Sequence, residues 1–455
     1  MTRPIRGHTV TGPWLVLIPL LIGGVVRAAA LPLGGTGDVR VWKNWSYNAA
    51  VDGASRLYGV GATSGAPASY RLLRFHGAET IADYPPLALD ELGLVGRAYW
   101  HATNGRFPDT RVLTAVIKGL PVAFEIGLVA LLFIALRRTF GDDTACWAVV
   151  GYWLNPAAII NASVGGYLDA LFVLPAVLSI VAATGGWPTL AGGLIAASAL
   201  TKPQGVFVLP AVAVATWNAG DPSSRRARVA AAIAGAAIVS ATIVAPVVAA
   251  GAWWNMVHGL TSQTHEIDVS MEGYNLWWIA GHFMWMAYAW QRGLSAWTVF
   301  MAPVARMPFA QAAVQGLPDL RLVGTMLALA GIAWGTWIGR RARDLSLVAA
   351  VGAFSVHAFV ALGALVHENH LFAAMPLLVL AAARRKRFVP ILAGVSTFLA
   401  LSMSVYILSN PKGPIVLSRT MTLVDVTLLL AVFNLVLLVW HARVLRAEAR
   451  VYDTT

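Results

Sequence analysis

Charge is scarce in this chain. Of 455 residues only 12% are charged and 58% are hydrophobic, whereas soluble domains carry roughly a quarter charged residues. A soluble globular domain is thereby excluded, and a polytopic membrane protein remains. Cys146 is the single cysteine, so an internal disulfide and a cysteine-based metal centre are excluded; at a helix start it reads as buried filler. Neither a Gly-x-Gly-x-x-Gly nor a P-loop pattern lies beside a strand–helix pair, so no nucleotide-binding domain is expected. The formal charge of +12 comes without a recognition motif or a basic helix bearing stacking aromatics, which removes nucleic acid as a partner. His367-Glu368-Asn369-His370 spaces its histidines three apart, not in the HExxH pattern of a zinc helix. The segment after the first apolar run has no Asp-x-Asp pair. No cofactor is expected, with divalent metal left open.

What the sequence does have is apolar runs. They place spanning helices near 13–33, 111–136, 144–161, 167–184, 188–200, 204–217, 228–250, 320–339, 345–366, 370–383, 387–408 and 421–441, about twelve in all by length and hydropathy. Arg3 and Arg6 before the first run and Ala28-Ala29-Ala30 after it also fit a cleaved signal peptide. The run is long enough to span, and it is read as a retained helix. With the N-terminus inside, Arg137 and Arg138, Arg225 to Arg228, Arg340 to Arg343, Arg384 to Arg387 and the Arg443–Arg450 tail all fall on the cytoplasmic side, as positive-inside topology requires. The expected fold is therefore an all-α, polytopic membrane helical bundle, a single domain over 1–455 in the plasma (inner) membrane.

Two segments then lie on the outer face. The first, 34–110, is too long for a connector and carries semi-apolar stretches at 39–58 and 86–101 that suit interfacial helices. The second, 251–319, holds Trp253, Trp254, Trp277, Trp278, Trp285, Trp290 and Trp297. Tryptophan favours the membrane interface, so Tyr274 to Trp290 reads as an interfacial or re-entrant helix, with a further transmembrane pair in 274–319 as the alternative.

A charge at membrane depth costs several kcal/mol and is usually kept for function. Here the costly groups gather at one leaflet: Arg27, Asp38, Arg40, Asp83, Asp169, Lys202, His367 and Glu368. Each alone has a plain structural reading. Asp38 and Asp169 suit helix N-caps, Asn155-Pro156 a kink, Tyr84-Pro85-Pro86 a stiff turn, and Lys202 a side chain snorkelling to the interface.

Taken in order, Gly37-Asp38, Asp83-Tyr84-Pro85-Pro86-Leu87, Asn155-Pro156 with Gly165-Gly166-Tyr167-Leu168-Asp169, Thr201-Lys202-Pro203-Gln204, Gly273-Tyr274-Asn275-Leu276-Trp277 and Val366-His367-Glu368-Asn369-His370 resemble the type C glycosyltransferase superfamily (GT-C). The nearest likeness is to the dolichyl-phosphate-glucose glucosyltransferases of N-glycan assembly and their prokaryotic relatives. The chain departs where the family often has Gly-Gln before an Asp and this sequence has Gly166-Tyr167-Leu168-Asp169. The resemblance implies an inverting transferase that moves a hexose or pentose from a polyprenyl-phosphate carrier to a hydroxyl of a lipid, glycan or protein acceptor at the exterior or periplasmic face. Asp38 would be the general base. Lys202 and His367 would hold the donor phosphate, with Arg27 and Arg40 as substitutes, and Glu368 would orient the histidine. Tyr84, Asp83, Asp169, Gln204, Asn275, Glu368 and His370 would line the acceptor and sugar sites.

Elementary chemistry agrees with that set. Sugar transfer from a phosphate needs a base near the acceptor and cations at the leaving group. The competing reading is a membrane transporter or lipid-linked sugar flippase, whose site would lie near the midplane between repeated halves. A polymerase or ligase using a diphosphate-linked donor would carry clustered arginines in a late external loop, where Arg292, Arg306 and Arg321 are scattered.

Overall fold

The computed structural model describes residues 14–59, 71–262, 269–291, 293, 318–409 and 426–453. Arg3 and Arg6, Arg292, Trp297 and Arg306 lie outside the described residues, as does most of the part of 274–319 after Gln291 in which the alternative transmembrane pair would continue.

Among the described residues the regular structure is helical apart from one hairpin, β1 (Leu73–Phe75) paired antiparallel with β2 (Ala78–Thr80). α1 (Trp14–Ala30) enters from the N-terminus. α2 (Gly37–Asp52) and α3 (Pro86–Ala102) follow in the 34–110 segment and pack on each other, where two interfacial helices were expected. Then come α4 (Arg111–Phe140), α5 (Asp142–Trp153), α6 (Pro156–Ile159), α7 (Asp169–Thr184), α8 (Pro188–Thr201), α9 (Leu209–Asn218), α10 (Arg225–Ala249) and α11 (Trp253–Ser262). α12 (Leu276–Gln291) occupies the expected tryptophan-rich stretch. α13 (Leu320–Ile338), α14 (Leu345–Leu362), α15 (Ala374–Arg384), α16 (Val389–Ser409) and α17 (Val426–Asp453) complete the bundle.

Among the described residues six helices are long and apolar enough to cross a membrane: Arg111–Phe140, Pro222–Ala249, Leu320–Ile338, Leu345–Leu362, Lys386–Leu408 and Val426–Val451. The chain is a multi-pass membrane protein. The remaining expected spans are helices too, but shorter. Asn155 breaks the expected 144–161 helix because its side chain accepts the Ala157 N–H, capping α6, while Pro156 fills the first position of that helix, where no N–H donor is needed. Beyond α6 the chain widens into a π turn over Ile160–Gly165. Likewise 204–217 begins as a 3₁₀ turn, Pro203–Val208, before α9.

α14 is the central post. It is apolar on all sides and buried along nearly its whole length, as a helix without a polar face must be. α10 and α17 instead turn Ile233, Ile238, Leu429, Val436 and Val439 outward, which suits a lipid-facing surface. The basic loops meet at one end. Asn218 donates to the carbonyls of Arg340 (2.7 Å) and Ala342 (3.0 Å), and Arg385 bridges Asp344 and Glu448 at 2.9 Å each. The eighteen residues of α14 carry the chain about 27 Å from that end, toward His367 at the other.

Candidate active site

The loop after α1 is anchored from three sides. Lys118 of α4, fully buried, donates to the carbonyls of Ala30 (2.9 Å) and Leu33 (3.0 Å). The Thr36 N–H and hydroxyl both reach the Gly165 carbonyl, at 3.0 and 3.2 Å. Trp42 Nε1 donates to Gly166 O at 3.1 Å. The π turn is thus the platform on which α2 starts. Thr36 is the helix N-cap residue, so Asp38 sits inside the first turn and is not the cap. No described residue hydrogen-bonds its carboxylate.

α2 presents Asp38, Val41, Trp42 and Trp45 on one face, the i, i+3, i+4, i+7 spacing of a helix stripe. Tyr84 closes on that stripe, its ring 5.1 Å from Trp42 and 5.4 Å from Trp45. The Trp45 indole N–H is held by Ile81 O at 3.0 Å. These residues wall a cavity of about 220 Å³, which Asp83, Lys202, Gln204, His367, Glu368 and His370 also line.

Lys202 is fixed by Asp169 at 2.5 Å. The second oxygen of Asp169 accepts from Asn161 and from Asn369, both at 2.8 Å. Asp169 therefore neither caps α7 nor lines the cavity; three donors consume it, and its task is to aim Lys202. Burial alone would strip the Lys202 proton, but Asp169, Tyr84 and Asp38 outweigh it and hold the ammonium well above its usual range. For Asp38, burial is the largest influence and raises its pKa to about 6, opposed by Lys202 and reinforced by Asp169 and Asp83.

Beyond α14 the chain turns. His370 Nδ1 accepts from the His367 N–H at 3.2 Å, and Gln204 Nε2 lies 3.1 Å from His370 Nε2. His367 faces the cavity with its pKa lowered to about 4, by burial first and by Lys202 second. It is a neutral imidazole, not the cation expected from sequence. Glu368 does not orient it: the two are 3.9 Å apart, beyond hydrogen-bond reach. Tyr167 instead donates to Glu368 Oε1 at 2.5 Å, and burial raises Glu368 to about 8.

Three other expected residues lie elsewhere. Arg27 is buried away from the cavity, locked to Glu125 at 2.6 and 2.8 Å and to the Trp153 carbonyl at 2.7 Å; its guanidinium is spent. Arg40 is solvent-exposed and absent from the lining. Asn275 donates to Val360 O and Gly363 O at 2.9 and 2.8 Å and accepts the Trp277 N–H at 3.0 Å, so it caps α12 and fastens it to the end of α14. Cys146 is half-buried on α5.

Sequence reasoning missed Trp42, Trp45, Tyr167, Asn369 and Tyr406 in the wall, as well as Lys118 and Glu125 behind it. The last two had a signal: they are lone charges seven residues apart in an apolar run, hence on one helix face. Asn369 sat inside a motif already singled out.

No family model matches this chain, and no curated protein matches it. Among solved structures, ArnT from Cupriavidus metallidurans, in a crystal structure bound to undecaprenyl phosphate, is similar at 13% identity and a TM-score of 0.41. The match covers 97% of this chain and 78% of that one. Superposition at that level leaves residue roles to this chain's own geometry.

Proposed function

We propose that this protein is an inverting membrane glycosyltransferase of the GT-C kind, taking a hexosyl or pentosyl group from a polyprenyl-phosphate carrier. The acceptor is a hydroxyl of a lipid, glycan or protein at the exterior face of the plasma membrane. One observation carries the reading: a carboxylate that no described residue hydrogen-bonds shares a small cavity with a locked ammonium, at the end of the bundle opposite the basic loops.

Asp38 takes the acceptor proton as the hydroxyl oxygen forms its bond to the anomeric carbon. The bond from that carbon to the phosphate oxygen breaks on the opposite side, and the electron pair leaves with polyprenyl phosphate. Lys202 offers charge, and the His367 ring an N–H, to the oxygens where negative charge grows. Donor and product both remain lipid-bound and reach the cavity by lateral diffusion, which fits a chain without a nucleotide-binding domain. A transporter would hold its substrate-binding groups at the midplane; here Asp38, Lys202, His367 and Glu368 share a cavity at one end of the bundle.

The test is transfer of radiolabelled sugar from polyprenyl-phosphate donors into acceptors of membranes carrying the wild type or Asp38→Asn, with and without chelator. Asp38→Asn should lower transfer by about 10²- to 10⁴-fold, and chelator should leave the wild type unchanged. Undiminished transfer removes the base assignment, and donor translocation without transfer supports the transporter.

A further inference from the structure

A second cavity, of about 320 Å³, opens on the hairpin, lined among others by Tyr47, His76, Glu79, Arg106 and Phe107. Its backbone is unusual. His76 and Phe107 adopt positive φ angles of 46° and 43°, with Asn104 between them in sequence at 51°. Left-handed backbone is disfavoured for any residue but glycine, least so for asparagine and aspartate. The turn between β1 and β2 is the two-residue kind that favours Asn-Gly, yet its first position holds histidine. A bulky ring at Phe107 is dearer still than glycine would be. Both strained positions thus place a ring against the same cavity.

The lining has a defined chemistry. Tyr47 packs on Phe75 and Phe107 at 5.1 and 5.2 Å between ring centres, leaving its half-buried ring as an aromatic floor. Glu79 is the one carboxylate of the wall and is already paired with Arg74 at 2.8 Å. The Arg106 guanidinium is exposed and makes no hydrogen bond or ion pair with a described residue. An aromatic face beside an uncommitted guanidinium suits a ring with an apolar face and an anionic substituent. Position completes the case. Ala78 and Glu79 line this cavity while Thr80, the next residue of the strand, lines the candidate active site, so the walls of the two cavities adjoin along β2, one residue step of about 3.4 Å apart.

We propose that this cavity is a subsite for an acidic saccharide, the part of the acceptor remote from the reacting hydroxyl. Its role in the acceptor rests on the transferase reading; its ability to bind does not. The test uses full-length protein in detergent and saturation-transfer NMR with methyl glucuronoside, methyl glucoside as the neutral control, in wild type, Arg106→Ala, His76→Asn and Asp38→Asn. The glucuronoside should bind the wild type and Asp38→Asn alike and should lose about tenfold in affinity with Arg106→Ala. His76→Asn should weaken binding while raising thermal stability, because asparagine accepts the turn more readily. Equal binding of the neutral glycoside, or His76→Asn and Arg106→Ala that both bind as wild type, overturns the proposal. Glucuronoside binding by the wild type, with no sugar transfer detected in wild-type membranes, would leave the subsite standing and remove the transferase reading.

Discussion

Asp38 is held where its proton moves easily near neutral pH. Burial raises its pKa to about 6, and the transfer proposed above requires the carboxylate, so kcat/KM should climb as pH rises through 6. Glu368, raised to about 8 by burial, adds a negative charge beside the leaving phosphate once it ionises, so the rate should fall above 8. The Lys202 ammonium is held above its usual range and contributes no limb in this interval. The profile is therefore a bell, and Glu368→Gln should abolish its alkaline side while keeping the acid one. An unchanged alkaline limb in that variant would assign it to another group. Stability follows the opposite sign. Both carboxyls bind protons more tightly folded than unfolded, so their favourable contribution is complete below about pH 4 and is lost as pH rises through 6 and then 8. Asp38→Asn should accordingly melt higher than wild type at pH 8, with the difference closing only as pH falls to about 4; the proposed base is bought with stability.

At the scale of elements, the loop from Ile160 to Asp169 decides where α2 begins, and Gly166 is its critical point. Its φ is +77°, and a Cβ there would meet Val39 Cγ2 at 2.6 Å and Lys118 Cγ at 3.0 Å. Gly166→Ala should cost about 1–2 kcal/mol in backbone strain and about 1–3 more in overpacking. Because Val39 adjoins Asp38, the displacement should lower transfer by about 10²-fold. Gly141→Ala is the control: its φ is +91° with open space around the added Cβ, at the junction of α4 and α5 beside Arg137. It should lose melting temperature and keep its rate. Equal rate losses in the two variants would deny the loop any positioning role. These elements were unevenly legible in sequence. Helices spanning lipid need only a local apolar run, so α4, α10, α13, α14, α16 and α17 were plain from hydropathy. The site needed pairings no local pattern carries. Arg27 finds Glu125 98 positions away, which is why it was mistaken for a phosphate ligand. Tyr167 finds Glu368 201 positions away, and the histidine next to that glutamate lost its expected partner as a result. Asp38, Lys202 and His367 were legible because each interrupts an apolar context at high cost.

For the whole molecule, the decisive property is which end faces the exterior. The basic loops around Arg225, Arg340 and Arg385 are tied into one end by Asn218, Asp344 and Glu448, and lysine and arginine are retained on the cytoplasmic side during insertion. The cavity belongs to the opposite end, with α2, α3 and the hairpin around it. The proposed function makes the same demand, since an external acceptor would have to meet the donor in the outer leaflet. Labelling separates the two orientations. In a Cys146→Ala background, cysteine replaces Ser223, exposed ahead of α10, or Ala102, exposed at the end of α3. A membrane-impermeant maleimide should label Ala102→Cys in intact cells and Ser223→Cys only after permeabilisation. The reverse pattern would place Asp38 on the cytoplasmic side. The donor would then be drawn from the inner leaflet, the acidic acceptor would be an intracellular molecule, and positive-inside sorting would have failed for every basic loop of this bundle at once.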